Sequence, residues 1–245
     1  MYLEEYIWFV GILLLLALFS GYASLKVNST YKKFDKVQNR TGLTGSQCAL
    51  RLLRYNNISD VRVGRVSGTL SDHYHPTKEI VNLSDSTFDS SSIAAIAVAA
   101  HEIGHVVQNK TGAMFYKLRT ALVPVTNLAS KLAFPLVFIG ILIDSGIAIT
   151  ADTEIGFTLA MIGVIFYGSG FLFNLVTLPV ELDASRRACT MLLDEGIILQ
   201  DERDDAAAVL KAAALTYLAA TLTSLVYFIR FLLYVLRAFG KRNSR

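Results

Sequence analysis

The sequence predicts a mainly α-helical membrane protein, with transmembrane helices and a small α+β part that faces water. Apolar residues make up 53% of the 245 residues and charged residues only 18%, a low charged fraction for a soluble protein. The apolar residues are concentrated in a few long runs, and strand-like alternation with turn residues lies between two of them. A helical membrane base that carries one small α+β part is therefore the expected architecture.

The N-terminal and central apolar runs are long enough to cross a bilayer, which takes about 20 helical residues. The run 7–25 is nearly free of charge and lacks the small-residue cleavage pattern of a secretory signal, so residues 1–25 are interpreted as a retained anchor. The runs 132–150 and 155–178 are joined by a very short acidic connection, 151–154. They are therefore predicted to form an antiparallel transmembrane hairpin. The predicted hairpin segment is 132–179.

Loop charges predict which side of the membrane each segment occupies. Glu4 and Glu5 precede the first run, and basic residues follow it. The positive-inside rule therefore places residues 26–131 and 180–211 in the cytoplasm, in a multi-pass protein of the plasma membrane. The net charge of +3 is too small to indicate nucleic-acid binding and fits a lipid bilayer with anionic headgroups.

A last apolar run, 212–239, carries Arg230 and Arg237. With the basic tail it forms the segment 212–245, which either crosses the membrane or lies along its surface with both arginines reaching the headgroups. The tail would emerge on the outer side if this run crossed once, and this disagreement with the positive-inside rule favours the surface position.

The stretch 31–55 is predicted to be a helix-rich connector after the anchor. A glycine-containing break at 41–46 interrupts it. Thr44 or Ser46 is predicted to cap the helix that carries residues 48–55. No catalytic motif lies in this stretch.

The pentapeptide His101-Glu102-Ile103-Gly104-His105 follows an alanine-rich run of helix-forming composition. Residues four apart share one face of a helix, so His101 and His105 can bind a single metal ion. Glu102 is rotated away from that pair and can reach a water on the metal, as the general base of a zinc hydrolase does. Gly104 is interpreted as leaving room beside the metal. The alternative is a pair of core histidines without a metal, and their burial with a carboxylate would cost several kcal/mol.

A catalytic zinc site needs a third protein ligand from the same side of the membrane. The segment after the hairpin returns there first, and Pro179 is predicted to open a new helix with acidic residues near its start. Glu181 is the first candidate for the ligand. Asp183 is the second, and it could instead orient a histidine. Both carboxylates could also be solvated charges at a helix start.

The expected cofactor is one Zn²⁺ ion per chain. Two imidazoles and a carboxylate would also accept cobalt or manganese, but the ligand types favour zinc. The expected partners are a polypeptide substrate and the lipid bilayer, with no nucleic acid.

Three motifs carry a resemblance to the YugP-like neutral zinc metallopeptidases, bacterial membrane proteins related to HtpX and to the CAAX prenyl proteases among the gluzincins. They are the pentapeptide, the segment 181–187 and the segment 71–76, and the resemblance extends over nearly the whole chain. It implies a zincin-like (gluzincin) catalytic domain at the cytoplasmic face. It also implies that zinc is bound by His101, His105 and Glu181, with Glu102 as the base.

The motif around Glu181 departs from the pattern of the HtpX-type relatives. In those relatives an Asp follows the ligand Glu by four residues, whereas Ser185 stands at that position here. Asp183 could take over the orienting role of that Asp, or the site could be arranged differently.

The segment before the pentapeptide contains two strand-like stretches, 61–63 and 80–83. In gluzincins the strand before the metal helix commonly accepts an extended substrate by backbone pairing. An ordinary half-buried strand is the alternative. The predicted substrate edge strand consists of Ile80, Val81, Asn82 and Leu83.

His73, Tyr74 and His75 form a polar cluster that ends at Pro76. His73 or Tyr74 could donate a hydrogen bond to a developing oxyanion, and one of the cluster could replace Glu181 on the metal. The alternative is that all three are polar residues of a turn.

These observations lead to a zinc-dependent membrane-bound endopeptidase as the first hypothesis, with a role in the quality control of membrane proteins. One alternative is a non-catalytic membrane protein with a structural or sensing zinc site, which would have no use for Glu102. The other is a site-2-type intramembrane protease. Polar residues on both sides of the pentapeptide argue against that alternative, because they place its helix in water near the membrane.

Overall fold

The computed structural model describes residues 3–144 and 153–240. Long helices dominate these residues, and one small sheet accompanies them, which confirms the predicted mainly α class with a small β part. The elements in chain order are α1 (Leu3–Phe34), α2 (Gly45–Tyr55), β1 (Arg62–Val66), β2 (His73–His75), β3 (Ile80–Ser84), α3 (Asp85–Phe88), α4 (Ile93–Lys110), α5 (Met114–Asp144), α6 (Thr153–Asp194) and α7 (Arg203–Gly240).

Four helices, α1, α5, α6 and α7, are long and apolar enough to cross a membrane, judged by length and composition. Each is longer than the apolar run that predicts it. α5 begins at Met114, well before the predicted start at residue 132. Part of the predicted connection 151–154 lies outside the described residues, and Thr153 and Glu154 already belong to α6. Helices therefore continue beyond their apolar runs into more polar sequence.

Pro179 does not open a new helix, contrary to the prediction, because α6 continues through it to Asp194. Proline within a helix removes one backbone hydrogen bond and costs about 3 kcal/mol. Val176 and Val180, on either side of it, are both buried, and burial of apolar side chains offsets such a cost. Glu181 and Asp183 therefore lie inside a long helix, and the favourable dipole of a helix start does not act on them.

Contacts divide the chain into two compact units. The first unit contains Met1–Lys117 and Pro179–Leu218, and the second contains Leu118–Leu178 and Ala219–Arg245. The second unit is apolar and helical. In it Gly163 lies against α5, since a Cβ added there would be 2.7 Å from the carbonyl oxygen of Ala133. Buried Val137 and Val164 pack beside this close approach.

The first unit contains the sheet, whose strand order is β1-β3-β2. β1 runs parallel to β3, and β2 runs antiparallel to it. β3 is therefore the central strand, and its backbone is paired on both sides. The prediction that Ile80, Val81, Asn82 and Leu83 form a substrate edge strand is wrong, because two neighbouring strands already occupy the hydrogen bonds that a substrate would need.

α4 crosses the core of the first unit. It begins after Ser92, whose Oγ accepts a hydrogen bond of 3.1 Å from the amide of Ala95, as in a typical N-cap. The five alanines of α4 are small and all fully buried, so neighbouring elements approach this helix closely. Leu52 of α2 and Leu83 of β3 belong to the same buried cluster. The pentapeptide is therefore held on a helix with little freedom to move.

The predicted cap of α2 is confirmed at Thr44. Its side chain accepts from the amide of Gln47, and the Gln47 side chain accepts from the amide of Thr44. This reciprocal pair is a capping box, which satisfies two amides that the helix itself cannot pair.

Candidate metal centre

The structure brings the side chains of His101, His105 and Glu181 together. In the described part of the chain, these three form a group whose possible ligand atoms all lie within 4.8 Å of one another. Nε2 of His101 is 3.1 Å from Oε2 of Glu181, and Nε2 of His105 is 3.5 Å from the same oxygen. Glu181 retains only 2% of its accessible surface. The residue predicted first as the third ligand thus lies beside both histidines.

The two histidines meet because α4 is helical throughout the pentapeptide. Their positions four residues apart place both rings on one face, with centroids 4.8 Å apart and ring planes at 83°. No long-range contact is needed for this pair, since the helix repeat alone produces it.

Glu181 reaches the histidines because α6 packs against α4 at Gly104. A Cβ added to Gly104 would lie 2.6 Å from the carbonyl oxygen of Ala184. Gly104 was expected to leave room beside a metal, but the structure shows that the room is taken by the backbone of α6. This close approach sets the position of α6 and therefore of Glu181.

His105 is oriented by Gln108, one turn later on α4. Nδ1 of His105 donates a 3.0 Å hydrogen bond to Oε1 of Gln108, which leaves Nε2 directed at Glu181. The amide group of Gln108 donates to the carbonyl oxygen of Val180 at 2.8 Å and to Oδ2 of Asp183 at 2.9 Å. Gln108 is almost completely buried, and its hydrogen bonds link α4 to α6 beside His105.

Among the described hydrogen bonds, Asp183 has none with a histidine, and Gln108 lies between it and His105. It accepts hydrogen bonds from Gln108, from Arg187 at 2.7 Å and from Arg186. It acts on His105 only through Gln108.

His101 is oriented by Ser185, at the position where HtpX-type relatives have an Asp. Oγ of Ser185 lies 3.2 Å from Nδ1 of His101 and can accept its proton in a hydrogen bond. Nε2 of His101 then faces Glu181. The residue that orients His101 thus lies one turn after Glu181 on α6.

Glu102 is buried and lines a cavity that His101 also lines. The pKa of His105 is raised above its usual value. Burial acts to lower this pKa, but the hydrogen bond to Glu181 and the charges of Glu102 and Glu181 outweigh burial. The carboxylates thus make the site attractive to a cation.

A comparison with family models matches residues 8–236 to the family described as "Putative neutral zinc metallopeptidase". The chain is also 41% identical over 214 residues to the protein described as "Putative membrane protease YugP" of Bacillus subtilis (strain 168), over 87% of this chain and 90% of that protein. The chain belongs to this metallopeptidase family. No solved structure matches it.

The donor set fits the zinc that the family description implies. Two imidazole nitrogens and one carboxylate are ligands that Zn²⁺ accepts, and three protein ligands leave a position for water. Each histidine presents Nε2 to the cluster while its Nδ1 has a hydrogen-bond partner, an arrangement common in metal sites.

The structure does not bring the His73 cluster to this group. His73 bonds with the carbonyl oxygen of Ser71 at 2.9 Å and with the Asn82 side chain at 3.1 Å. Tyr74 accepts from Asn109, and Nδ1 of His75 accepts from the amide of Lys78. These contacts join β2 to its flanking turns, to β3 and to α4.

Sequence reasoning missed Gln108 and misread Gly104. Gln108 follows His105 by three residues, so helix periodicity placed it on the same face and was the available signal. The contact between Gly104 and Ala184 joins residues 80 positions apart, and no local pattern indicates it.

Proposed function

We propose that this chain is a zinc-dependent, membrane-bound endopeptidase that holds one Zn²⁺ through His101, His105 and Glu181. The observation that carries this proposal is the convergence of the three ligand atoms from two helices, with Glu102 at the adjoining cavity. The family description and the relative from Bacillus subtilis support a protease.

Bound zinc would supply Lewis acidity, which polarises the scissile carbonyl and acidifies a water molecule. Glu102 acts as the general base: its carboxylate accepts a proton from the attacking water and then donates it to the leaving amine. Gln108 and Ser185 keep both imidazoles in one tautomer and orientation. Burial of Glu102 and His105 limits the access of bulk water to the reacting groups.

The four long apolar helices and the loop charges support a multi-pass position in the plasma membrane, with the site facing the cytoplasm. A site held beside the bilayer has a high effective concentration toward membrane substrates. Quality control of membrane proteins is the role that this placement fits.

Zinc content and cleavage of casein, measured on detergent-purified protein, test the proposed activity. Glu102→Gln should keep about one zinc per chain and lower cleavage by about 100-fold or more. Glu181→Ala should lose zinc and cleavage together. Asp194→Asn, at the exposed end of the same helix, is the control and should change neither. A wild type that holds zinc and cleaves nothing would make the site structural or sensing.

Labelling with a thiol reagent that does not cross membranes tests the orientation. Lys36→Cys and Glu4→Cys both place a thiol at an exposed position, in a background without the native cysteines. In intact cells the reagent should modify Glu4→Cys and not Lys36→Cys. In inverted vesicles it should modify Lys36→Cys and not Glu4→Cys. Labelling of Lys36→Cys from outside would contradict a cytoplasmic site.

A further inference from the structure

A cavity of about 340 Å³ adjoins the candidate metal centre within the first unit. Its walls come from α1, α4, α7 and the loop before β2. We propose that this cavity receives a large apolar side chain of the substrate, next to the cleaved bond, so that α1 and α7 select where a polypeptide is cut. This inference rests on the peptidase function proposed above and adds the substrate preference of the same site.

The position of the cavity connects it to the chemistry. His101 and Glu102 both line it, so part of its wall is formed by one proposed ligand and the proposed base. A polypeptide with its scissile carbonyl at Glu102 must direct a neighbouring side chain into the nearest available space. Among the cavities described, this one is lined by both residues.

The chemistry of the walls selects an apolar side chain. Val27 of α1, Val98 of α4 and Leu210 of α7 present hydrocarbon to the interior. The acidic side chains on the lining are the carboxylates of Glu102 and Asp72. An acidic substrate residue would meet like charge there, whereas leucine or phenylalanine would bury apolar surface. The volume lies near the lower end of the range for ligand pockets, about 300–1,000 Å³.

Leu70 provides a second, independent observation at the same cavity. It lines the cavity from the loop before β2 with a backbone φ of 56°, in the left-handed region that a leucine rarely adopts. Such strain persists where the surroundings enforce it, and it is concentrated at binding sites.

Hydrogen bonds on both sides of Leu70 hold that loop in place. The amide of Gly68 donates to Oδ2 of Asp85 at 3.1 Å. Asp72 accepts from the amide of Ser84 at 2.7 Å and from its hydroxyl at 2.8 Å. Leu70 is therefore presented to the cavity by a fixed loop, as a hydrophobic wall would require.

Helix α1 also forms part of the cavity wall. Val27, Asn28 and Tyr31 lie on the last turns of the helix that the sequence predicts as a simple anchor, and all three line the cavity. Within the first unit, α1 is thus part of the proposed substrate site as well as a membrane segment.

Digestion of a mixed peptide library by the zinc-loaded protein, with cleavage sites identified by mass spectrometry, tests the proposal. The wild type should prefer leucine or phenylalanine over alanine at one position flanking the cleaved bond by about tenfold or more in kcat/KM, and should disfavour aspartate there. Ala213→Leu adds bulk to the cavity from α7. Ala214→Leu is the matched control, since Ala214 lines a different cavity.

Ala213→Leu should lower kcat/KM for the leucine and phenylalanine peptides by about tenfold, while alanine peptides change by less than about threefold. Zinc content and cleavage of the alanine peptides show that this variant is folded. Val27→Ala should raise the relative rate for tryptophan, which tests the wall from α1 separately.

A flat cleavage profile for the active wild type would overturn the pocket and leave the peptidase proposal intact. An equal fall in kcat/KM for all peptides in Ala213→Leu would also overturn the pocket. So would the same change of side-chain preference in Ala214→Leu. A wild type that binds zinc but cleaves no library member would overturn both proposals together.

Discussion

The two halves of the candidate metal centre are built in different ways. The half on α4 holds His101 and His105 at a spacing that any continuous helix would produce. The half on α6 holds Glu181, whose position depends on how closely α6 approaches α4 at Gly104 and Ala184. A local repeat therefore places two of the proposed ligands, and tertiary packing places the third. The two halves should respond differently to substitution.

The largest effect is expected where packing sets the third ligand. Gly104→Ala puts a methyl group 2.6 Å from a backbone oxygen, which must move with its helix. We expect unfolding free energy to fall by about 1–3 kcal/mol and zinc affinity to fall by more than about 100-fold, because a ligand itself is displaced. Zinc titration and thermal unfolding measure both.

Gly21→Ala is the matched control for that experiment. Gly21 also lies inside a helix of the first unit, but an added Cβ would meet nothing within 4 Å. This variant should keep its zinc affinity and gain up to about 1 kcal/mol in stability. Unchanged zinc binding in Gly104→Ala would show that the approach of the two helices does not control Glu181.

A smaller effect is expected at the link between the two halves. Gln108→Leu removes the hydrogen bond to His105 and the side-chain hydrogen bond to the carbonyl oxygen of Val180. Loss of a hydrogen-bond partner that orients a metal-binding histidine should weaken zinc binding by about 10–100-fold. Gln200→Leu, at an exposed position, should bind zinc as the wild type does. Equal zinc affinities for the two variants would contradict an orienting role for Gln108.

Ser185→Ala should have a weaker effect, about tenfold in zinc affinity, because it removes one hydrogen bond of 3.2 Å from His101. Ser29→Ala provides an exposed control, since its hydroxyl bonds only with the carbonyl of Lys26 among the described contacts. If Ser185→Ala lost more zinc affinity than Gln108→Leu, the orientation of His101 would matter more than that of His105, contrary to this expectation.

The smallest effect on the site is expected from a purely local change. Thr44→Ala removes the capping box of α2 and should lower the unfolding free energy by about 1 kcal/mol. Zinc affinity and cleavage should stay unchanged at temperatures where the protein is folded. A large loss of zinc affinity in Thr44→Ala would show that zinc binding depends on overall stability. The different zinc affinities expected for the variants above could then not be assigned to the two halves of the site.

The fold follows the sequence closely where the relevant information is local. The apolar runs predicted helices of the right type, and the Thr44 cap and two strand-like stretches were found where expected. The ends of the long helices were missed, because polar residues after an apolar run can continue a helix that packs in water. Pro179 was misread because buried neighbours outweigh the lost hydrogen bond.

The role of the 80–83 stretch could not be predicted from its alternation. Alternating residues show that a segment is a strand, but strand order depends on pairings between distant segments. Here β2 returns antiparallel on one side of β3, and β1 pairs in parallel on the other. The strand is therefore central, although its sequence is equally compatible with an edge.

The pair of histidines, the adjoining glutamate and the long apolar helices could be predicted from residue order alone, because each depends on helix repeat and composition. Three other features became visible in the folded chain: Gly104 admits the backbone of α6, Gln108 joins the two helices, and α1 lines the cavity beside Glu102. These three features join residues far apart in the chain. Their positions follow from close packing of whole helices, which a local pattern of residue types does not encode.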